Sequence, residues 1–238
     1  MKGIILAGGT GSRLYPLTKT INKHILPVYN KPMIYYPIQS MVDSGVNEIL
    51  IVTGGNNAGD FLQVIGNGSQ FGLKHIHYTY QEKPSGVADA LTLAKDFAGD
   101  DNICVMLGDN ILEKSFKKEI AEFEHGAAIF ITQTERPEFY GVVILEDFKV
   151  KKIIEKPEVP ESSWIQIGLY FYDKTVWDHL QKLSPSARNE LEITDLNNIF
   201  VDLNQMKAHL VSGWWADAGE NHDTYLDSGI KAREFFHA

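Results

Sequence analysis

Continuous apolar runs alternate with amphipathic segments along the first half of the chain. The runs Gly3–Leu6, Glu48–Val52 and Ile103–Leu107 are apolar at nearly every position, which is typical of parallel strands that are covered on both faces. Shorter or more polar runs predict further strands at His75–Tyr80, Ala127–Thr132, Val142–Leu145, Lys151–Ile154, Ile165–Tyr172 and Lys207–Val211.

Apolar residues at helical spacing lie between these strands. They predict helices at Met33–Val42, Val87–Ala94, Phe116–Phe123, Val176–Leu183, Leu196–Leu203 and His222–Phe236. Pro37 lies inside the first of these segments, and we expect it to kink that helix or to shift its start. The alternation of strands and helices predicts an α/β fold with a Rossmann-like, doubly wound, mostly parallel mixed sheet.

The chain changes character after the first half. From about Ala127 to Tyr172 it is mostly strand, and we interpret this part as a β-rich insertion on the same sheet. We therefore expect a single domain over residues 1–238, with one half at 1–125, a second at 126–220 and a C-terminal helix at 221–238. The chain contains no low-complexity linker and no internal repeat.

The composition of the 238 residues is that of an ordinary globular protein, and no apolar run reaches the roughly 20 residues of a membrane helix. The N-terminus carries only a short apolar stretch, Gly3 to Ala7, before the first glycines, so we expect no signal peptide. Cys104 is the single cysteine and lies inside an apolar run, which predicts a buried thiol. These features predict a cytoplasmic protein.

The charged residues are distributed unevenly. The net charge of −9 argues against general nucleic-acid binding. Residues 1–42 nevertheless contain no Asp or Glu but five of the 22 Lys and Arg residues, so 22 − 5 = 17 bases and all 31 acids lie in the remainder. This pattern fits a site for a small polyanion, and it equally fits a chance cluster of surface lysines.

A glycine-rich loop, LAGGTGSRLYPLTK (Leu6–Lys19), directly follows the first strand. Gly8, Gly9 and Gly11 allow the backbone to approach a ligand, and consecutive N–H groups in such a loop bind anions. A dinucleotide fingerprint is excluded because Leu14 replaces its third glycine, and the absence of a Gly-Lys pair excludes a P-loop. Arg13 and Lys23 could neutralise a triphosphate beside this loop.

The ordered set of motifs resembles the sugar-1-phosphate nucleotidyltransferases over nearly the whole chain. The resemblance is nearest to members that transfer a thymidylyl group to glucose 1-phosphate. It is carried by Leu6–Thr18, Asn22–Val28, Lys31–Pro37, Gly108–Ile111, Tyr140–Val143, Glu155–Pro157, Gly168–Asp173, Ser186–Asn197 and Trp215–Gly219.

The resemblance implies transfer of dTMP from dTTP to glucose 1-phosphate, with Mg²⁺ as cofactor and dTDP-glucose and pyrophosphate as products. It assigns Arg13, Lys23 and Asp109 to catalysis, and Asp109 and Asp217 to the metal. Without the resemblance, the chemistry alone slightly favours a helix N-cap for Asp109 and a turn residue for Asp217. The nucleophile is an anionic phosphate oxygen, so we expect positioning and charge neutralisation, not a general base, to carry the reaction.

The resemblance also implies two groups of binding residues. For the nucleotide they are Leu6, Gly8, Gly9, Gly11, Arg13, Gln81, Gly86 and Asp109. For the sugar phosphate they are Asn110, Tyr140, Gly141, Glu155, Lys156 and Gly168.

Two positions depart from the family pattern. Asp89 lies where relatives often have a neutral polar residue, and it either affects the base or ribose contacts or is a solvated carboxylate in the first turn of a helix. Ile167 lies where threonine is frequent, and we expect this substitution to remove a hydroxyl from the sugar pocket.

Other functions remain open from the sequence. The nearest is a uridylyltransferase that uses UTP, followed by a catalytically silent nucleotide-sugar sensor on the same fold. The broken fingerprint argues against a nicotinamide-dependent oxidoreductase. We expect no binding to a membrane. We also expect no regulatory nucleotide site of the kind that longer members build from additional C-terminal helices. The sequence leaves open whether the protein forms a homo-oligomer.

Overall fold

A large mixed sheet with helices on both faces forms the centre of the molecule. The computed structural model of the chain describes residues 1–55 and 58–236. The strands are β1 (Lys2–Ala7), β2 (Pro27–Val28), β3 (Lys31–Pro32), β4 (Ile49–Gly54), β5 (Ile76–Gln81), β6 (Ile103–Leu107), β7 (Asn110–Leu112), β8 (Ala127–Gln133), β9 (Gly141–Glu146), β10 (Lys149–Glu155), β11 (Trp164–Tyr172), β12 (Met206–Leu210) and β13 (Trp215–Asp217). The helices are α1 (Tyr35–Asp43), α2 (Ala58–Ile65), α3 (Val87–Thr92), α4 (Lys95–Ala98), α5 (Lys117–Glu122), α6 (Val176–Leu180), α7 (Ile193–Asp202) and α8 (His222–Phe235).

The strand order of the large sheet is β10-β9-β11-β6-β1-β4-β5, with β8 paired to β11 and β12 paired to β8. β1 lies between two parallel neighbours, β4 and β6, and β5 continues the parallel part. β11 runs antiparallel to β6, β8 and β9. The carboxyl ends of β1, β5 and β6 therefore lie at one edge of the sheet. The order of the strands reverses at β1, which has β4 on one side and β6 on the other, and ligands bind at such a point in open α/β sheets.

The continuous apolar runs of the central strands are explained by burial on both faces. In β1, Ile4 and Leu6 pack into one cluster, which includes residues of α3, α6 and α7. Ile5 and Ala7 pack into the opposite cluster, which includes residues of α1 and α2. Alternate residues of one strand therefore belong to two separate cores, as expected for a doubly wound sheet.

The predicted fold class is confirmed, with differences in individual elements. α1 begins at Tyr35, so Pro37 lies in its first turn, where a missing N–H removes no helical hydrogen bond. α2 was not predicted from the sequence, although its buried Phe61 and Ile65 lie at helical spacing. Asp217 ends the short strand β13, and its side chain accepts from the Gly219 N–H at 2.9 Å in the turn that follows.

The C-terminal helix α8 covers two small antiparallel sheets, β13-β7 and β2-β3. A third apolar cluster holds them together: Val28, Ile111, Ala218 and Ala232 are all buried within it. A capping box at Asn221 starts the helix. Within the described residues, no helix combines the length and the apolar character needed to cross a membrane.

We predict that Gly126→Ala destabilises the fold by about 2–4 kcal/mol. Gly126 has φ +78° at the start of β8, and an added Cβ would lie 2.4 Å from the carbonyl oxygen of Gln205. Gly45→Ala is the matched control, because Gly45 has φ +91° with no atom within 4 Å of an added Cβ. It should cost only about 1–2 kcal/mol of backbone strain. Equal losses in urea unfolding would contradict the role of the Gln205 contact.

Candidate active site

A cleft of about 620 Å³ lies at the carboxyl ends of the central strands. It brings together fifteen of the sixteen site residues predicted from the sequence: Leu6, Gly8, Gly9, Arg13, Lys23, Gln81, Gly86, Asp109, Asn110, Tyr140, Gly141, Glu155, Lys156, Gly168 and Asp217. The exception is Gly11, which does not line the cleft. Gly11 has φ 64° and precedes the 3₁₀ turn that carries Arg13, so its role is to shape the loop.

Asp109 is the most buried charge in the cleft, with 5% of its surface exposed. The Lys23 ammonium donates to its Oδ2 at 2.5 Å, and the Asn110 amide donates to its Oδ1 at 3.1 Å. Burial by itself would raise the pKa of Asp109, but the Lys23 ammonium and these hydrogen bonds together hold that pKa well below its usual range. The carboxylate is therefore ionised in this environment.

Asp217 is brought beside Asp109 by a strand pair that is far apart in sequence. In the register of β13 with β7, Asp217 pairs with Asn110, and the Ala218 N–H donates to the Asp109 carbonyl at 2.9 Å. Partial burial and the charge of Asp109 raise the pKa of Asp217 to about 7. Gly219 permits this close approach, since an added Cβ would lie 2.4 Å from Asp109 Oδ2.

The donor set of this pair fits a magnesium ion. Two carboxylates line the cleft, and burial together with the charge of Asp109 raises the pKa of Asp217. Hard divalent cations prefer oxygen ligands, and Mg²⁺ typically uses one or two carboxylates together with substrate phosphates and water. Asp109 and Asp217 would hold such an ion, with Lys23 supplying the positive charge beside them.

A buried polar network supports the far end of the cleft. Glu155 Oε2 accepts from the Thr194 hydroxyl at 2.5 Å, and Thr194 in turn accepts from the Gln166 amide at 2.8 Å. The chain of hydrogen bonds continues from Asn197 to Gln166 at 2.8 Å. The Glu155 carboxylate is thus fixed from behind by groups that are themselves satisfied, which holds it rigidly at the cleft surface.

Arg188 also reaches this end of the cleft, and our prediction from the sequence did not assign it a role. Its guanidinium donates to Glu155 at 3.1 Å and to Glu192 at 2.8 Å. Burial opposes its charged form, but the hydrogen bond and charge of Glu192, with Glu155 and Glu190, keep the pKa above its ordinary value. Arg188 lies in the motif Ser186–Asn197, which carries part of the family resemblance. The sequence therefore contained a signal for this residue, but no helix or strand periodicity indicated its role.

Tyr140 forms one wall of the cleft. Its hydroxyl donates to Glu220, which is 7% exposed, and its ring packs edge-to-face against Trp215 at 5.7 Å. Burial and the hydrogen bond to Glu220 raise the pKa of Tyr140 well above its ordinary value, so the side chain stays neutral.

Asn110 accepts two hydrogen bonds at one oxygen. The Trp215 indole donates to Asn110 Oδ1 at 2.7 Å, and the Gly168 N–H donates to the same oxygen at 2.9 Å. Asn110 therefore links its own strand, β7, to β11 and β13.

The expectation for Ile167 is wrong. Its side chain is 1% exposed and packs in the cluster that contains α1 and α2, on the face of β11 away from the cleft. The neighbouring residues Gln166, Gly168 and Tyr170 face the cleft instead. Because alternate residues of a strand point to opposite faces, a hydroxyl at position 167 would not reach the pocket.

Several lining residues were not predicted as site residues. Besides Arg188, they include Ser12, His24, Pro84, Val87, Ala90, Leu107, Phe139, Gln166, Tyr170, Glu190, Ile193 and Trp215. Among them, His24 is 2% exposed, and burial together with the adjacent Lys23 lowers its pKa to about 3. His24 is therefore neutral and adds no charge to the cleft.

Comparison with known proteins agrees with this geometry. Residues 2–233 match the family model of the nucleotidyl transferases. The chain belongs to this family. Glucose-1-phosphate thymidylyltransferase of Neisseria meningitidis is 43% identical over 232 residues, which are 94% of this chain and 80% of the relative. The corresponding protein of Mycolicibacterium smegmatis is 40% identical over 96% of this chain and 81% of the relative.

A crystal structure from Bacillus anthracis, assigned to the same activity and in complex with sucrose, superimposes with a TM-score of 0.94. It is 41% identical, and the match covers 100% of this chain and 97% of that one. The structure in hand is therefore that of a nucleotidyltransferase, and the cleft described above is the candidate active site of this enzyme.

We predict that Thr194→Val destabilises the enzyme by about 2–3 kcal/mol, because it removes the hydrogen-bond partner of Glu155 Oε2 and of the Gln166 amide nitrogen. Thr194→Ser is the matched control, since it keeps the hydroxyl and removes one methyl group, at a cost of about 1 kcal/mol. Guanidinium unfolding of the two variants measures the difference. Equal losses would mean that Thr194 contributes packing and not hydrogen bonds.

We predict that Asp217→Asn stabilises the metal-free enzyme and removes its stabilisation by Mg²⁺. The pKa of Asp217 is about 7 in the folded protein against an ordinary 3.8, so its ionisation costs stability. That cost grows as the pH rises from about 4 and is complete above about 7. The unfolding midpoint in EDTA should therefore rise by about 2–4 °C at pH 8 and by less at pH 5.

Asp227→Asn is the control for this experiment, because Asp227 is an exposed acid on α8. It should leave both the midpoint in EDTA and the response to Mg²⁺ unchanged. A gain for Asp217→Asn that is the same at pH 5 and pH 8 would contradict the raised pKa.

Proposed function

We propose that this enzyme transfers dTMP from dTTP to glucose 1-phosphate and releases dTDP-glucose and pyrophosphate. The observation that carries the proposal is that three kinds of group line one cleft. They are a glycine loop with Arg13, the carboxylates Asp109 and Asp217, and the pair Glu155 and Lys156. The activity assigned to the relatives above supports this choice of nucleotide and sugar.

The residues suit an in-line displacement at the α-phosphorus. The attacking sugar phosphate is already anionic, so the reaction needs positioning and neutralisation of charge and does not need a base. We propose that Arg13, which is exposed at the mouth of the cleft, neutralises the departing pyrophosphate. Lys23 would share its positive charge between Asp109 and the phosphates, since its ammonium lies within the cleft and 13% of its side chain is exposed.

We propose that Mg²⁺ is held between Asp109 and Asp217. When bound, a divalent cation supplies charge neutralisation to the reacting phosphates. The enzyme's own contribution is to keep Asp109 ionised through Lys23 and Asn110, and to bring Asp217 to it through the β7–β13 pair.

At the sugar end, we propose that Glu155 accepts hydrogen bonds from sugar hydroxyls and that Lys156 and Arg188 face the phosphate. Glu155 is suited to this task because its carboxylate is fixed by Thr194 and Arg188. At the base end, Gln81 and Gly86 line the cleft and would contact the pyrimidine. We also propose a cytoplasmic location, which the single, buried and unpaired Cys104 supports.

The test is a pyrophosphate-release assay with dTTP, UTP, CTP, GTP and ATP against glucose 1-phosphate and other sugar 1-phosphates. We expect the highest kcat/KM for dTTP with glucose 1-phosphate. Preference for UTP would replace the proposed nucleotide, and release from no pair would indicate a sensor.

In the same assay, Asp109→Asn should lower kcat at least about 100-fold, because it removes the charge that the metal requires. Circular dichroism would check that the variant is folded. A folded variant with unchanged kcat would remove Asp109 from the metal site.

A further inference from the structure

The side chain of Gln81 is held by a carboxylate behind the cleft wall. Gln81 ends β5, is 7% exposed and lines the cleft. Its Nε2 donates to Asp89 Oδ2 at 2.7 Å and to the Gly86 carbonyl at 3.3 Å. Asp89 lies in the first turn of α3, is only partly exposed and does not line the cleft. The carboxylate of Asp89 is therefore engaged with Gln81 and is not simply solvated.

These two contacts determine the orientation of the Gln81 amide. A carboxylate and a backbone carbonyl are acceptors only, so each requires the nitrogen of the Gln81 amide and would repel its oxygen. Both amide hydrogens are used in these contacts. A rotation of the amide by 180° would place Oε1 against two oxygen atoms. It would also break the hydrogen bond to the charged Asp89 carboxylate, which is stronger than a hydrogen bond between neutral groups.

The opposite side of the amide is left for the ligand. Gln81 Oε1 lies near the glycine loop, where a Cβ added to Gly8 would approach it to 3.1 Å. Among residues 1–55 and 58–236, no hydrogen bond to this oxygen is found, although both hydrogens of the same amide are engaged. The cleft wall at this point therefore presents an acceptor and no donor from Gln81.

We propose that Asp89 is a positioning residue that sets base selectivity by fixing Gln81 with its carbonyl oxygen towards the nucleotide. A base with an N–H donor at N3, thymine or uracil, matches a fixed acceptor, whereas cytosine presents a lone pair at N3. The inference rests on the proposed function for the position of the base and goes beyond it in assigning the selectivity to Asp89. A site built around one hydrogen bond rejects a ligand that leaves its polar group unpaired.

The experiment compares dTTP with dCTP in the wild-type enzyme and in Asp89→Asn. The new amide at position 89 can turn its own donor towards Gln81 and so stabilise the reversed Gln81 orientation. We expect the ratio of kcat/KM for dTTP to that for dCTP to fall about tenfold or more. The change should lie in KM, with kcat for dTTP nearly unchanged, because the base is remote from the reacting phosphorus.

Asp89→Leu is a second variant of similar size that removes the acceptor without adding a donor. It should also lower the ratio about tenfold, since only the Gly86 carbonyl would then orient the amide. Asp96→Asn is the control, because Asp96 is an exposed first-turn acid on the neighbouring helix α4 and does not line the cleft. It makes the same change in net charge, and the ratio should stay at the wild-type value.

Equilibrium titration with dTDP and dCDP repeats the comparison without turnover. Preference for dTDP that weakens about tenfold in both Asp89 variants, but not in Asp96→Asn, supports the proposal. An unchanged preference in both folded variants overturns it, even if the wild-type enzyme forms dTDP-glucose as proposed. Tighter binding of dCDP than dTDP by the wild-type enzyme would also overturn it. Failure of the wild-type enzyme to turn over dTTP would instead refute the proposed function, and the titration would still measure the role of Asp89.

Discussion

The site depends on keeping the carboxylate of Asp109 ionised while it is almost completely buried. A buried charge is costly unless it is paired and hydrogen-bonded. Lys23 provides the pairing, and its position follows from a 3₁₀ turn, Lys23–Ile25, within the acid-free N-terminal segment. Asn110 provides the hydrogen bond and joins β7, β11 and β13 at the same point. The charge is therefore stabilised by Lys23 and Asn110, and Asn110 is itself held by β11 and β13.

Two side chains that line the cleft, Glu155 and Gln81, are held in place in the same way. Near the proposed sugar site, Glu155 is held in place because Thr194 and Arg188 donate hydrogen bonds to its oxygens. Near the proposed base site, Gln81 is held because it donates a hydrogen bond to Asp89. In each case the group that faces the ligand is held by a polar side chain behind it. Such preorganisation lowers the entropic cost of binding and keeps the donor and acceptor pattern of the cleft constant.

The sequence was informative where local chemistry is enough. Continuous apolar runs predicted the central strands, and glycine spacing with Arg13 predicted a phosphate loop that is neither a dinucleotide fingerprint nor a P-loop. The interpretation failed where the facing of a side chain decides its role. Ile167 was placed in the pocket, but strand alternation turns it into the opposite core. Arg188 was not assigned, because it lies in a loop between α6 and α7 without a periodic pattern.

The sequence by itself determined the class of fold, the family and fifteen of the residues that line the cleft, because those follow from periodicity, glycine spacing and ordered motifs. Only the tertiary structure decided how these groups act on one another. It showed that Lys23 pairs with Asp109, that burial and the charge of Asp109 raise the pKa of Asp217, and that Gln81 donates a hydrogen bond to Asp89. Gln81 and Asp89 are eight residues apart and Asp109 and Asp217 more than a hundred, and electrostatic and hydrogen-bond energies depend on distances in space that only the folded chain sets.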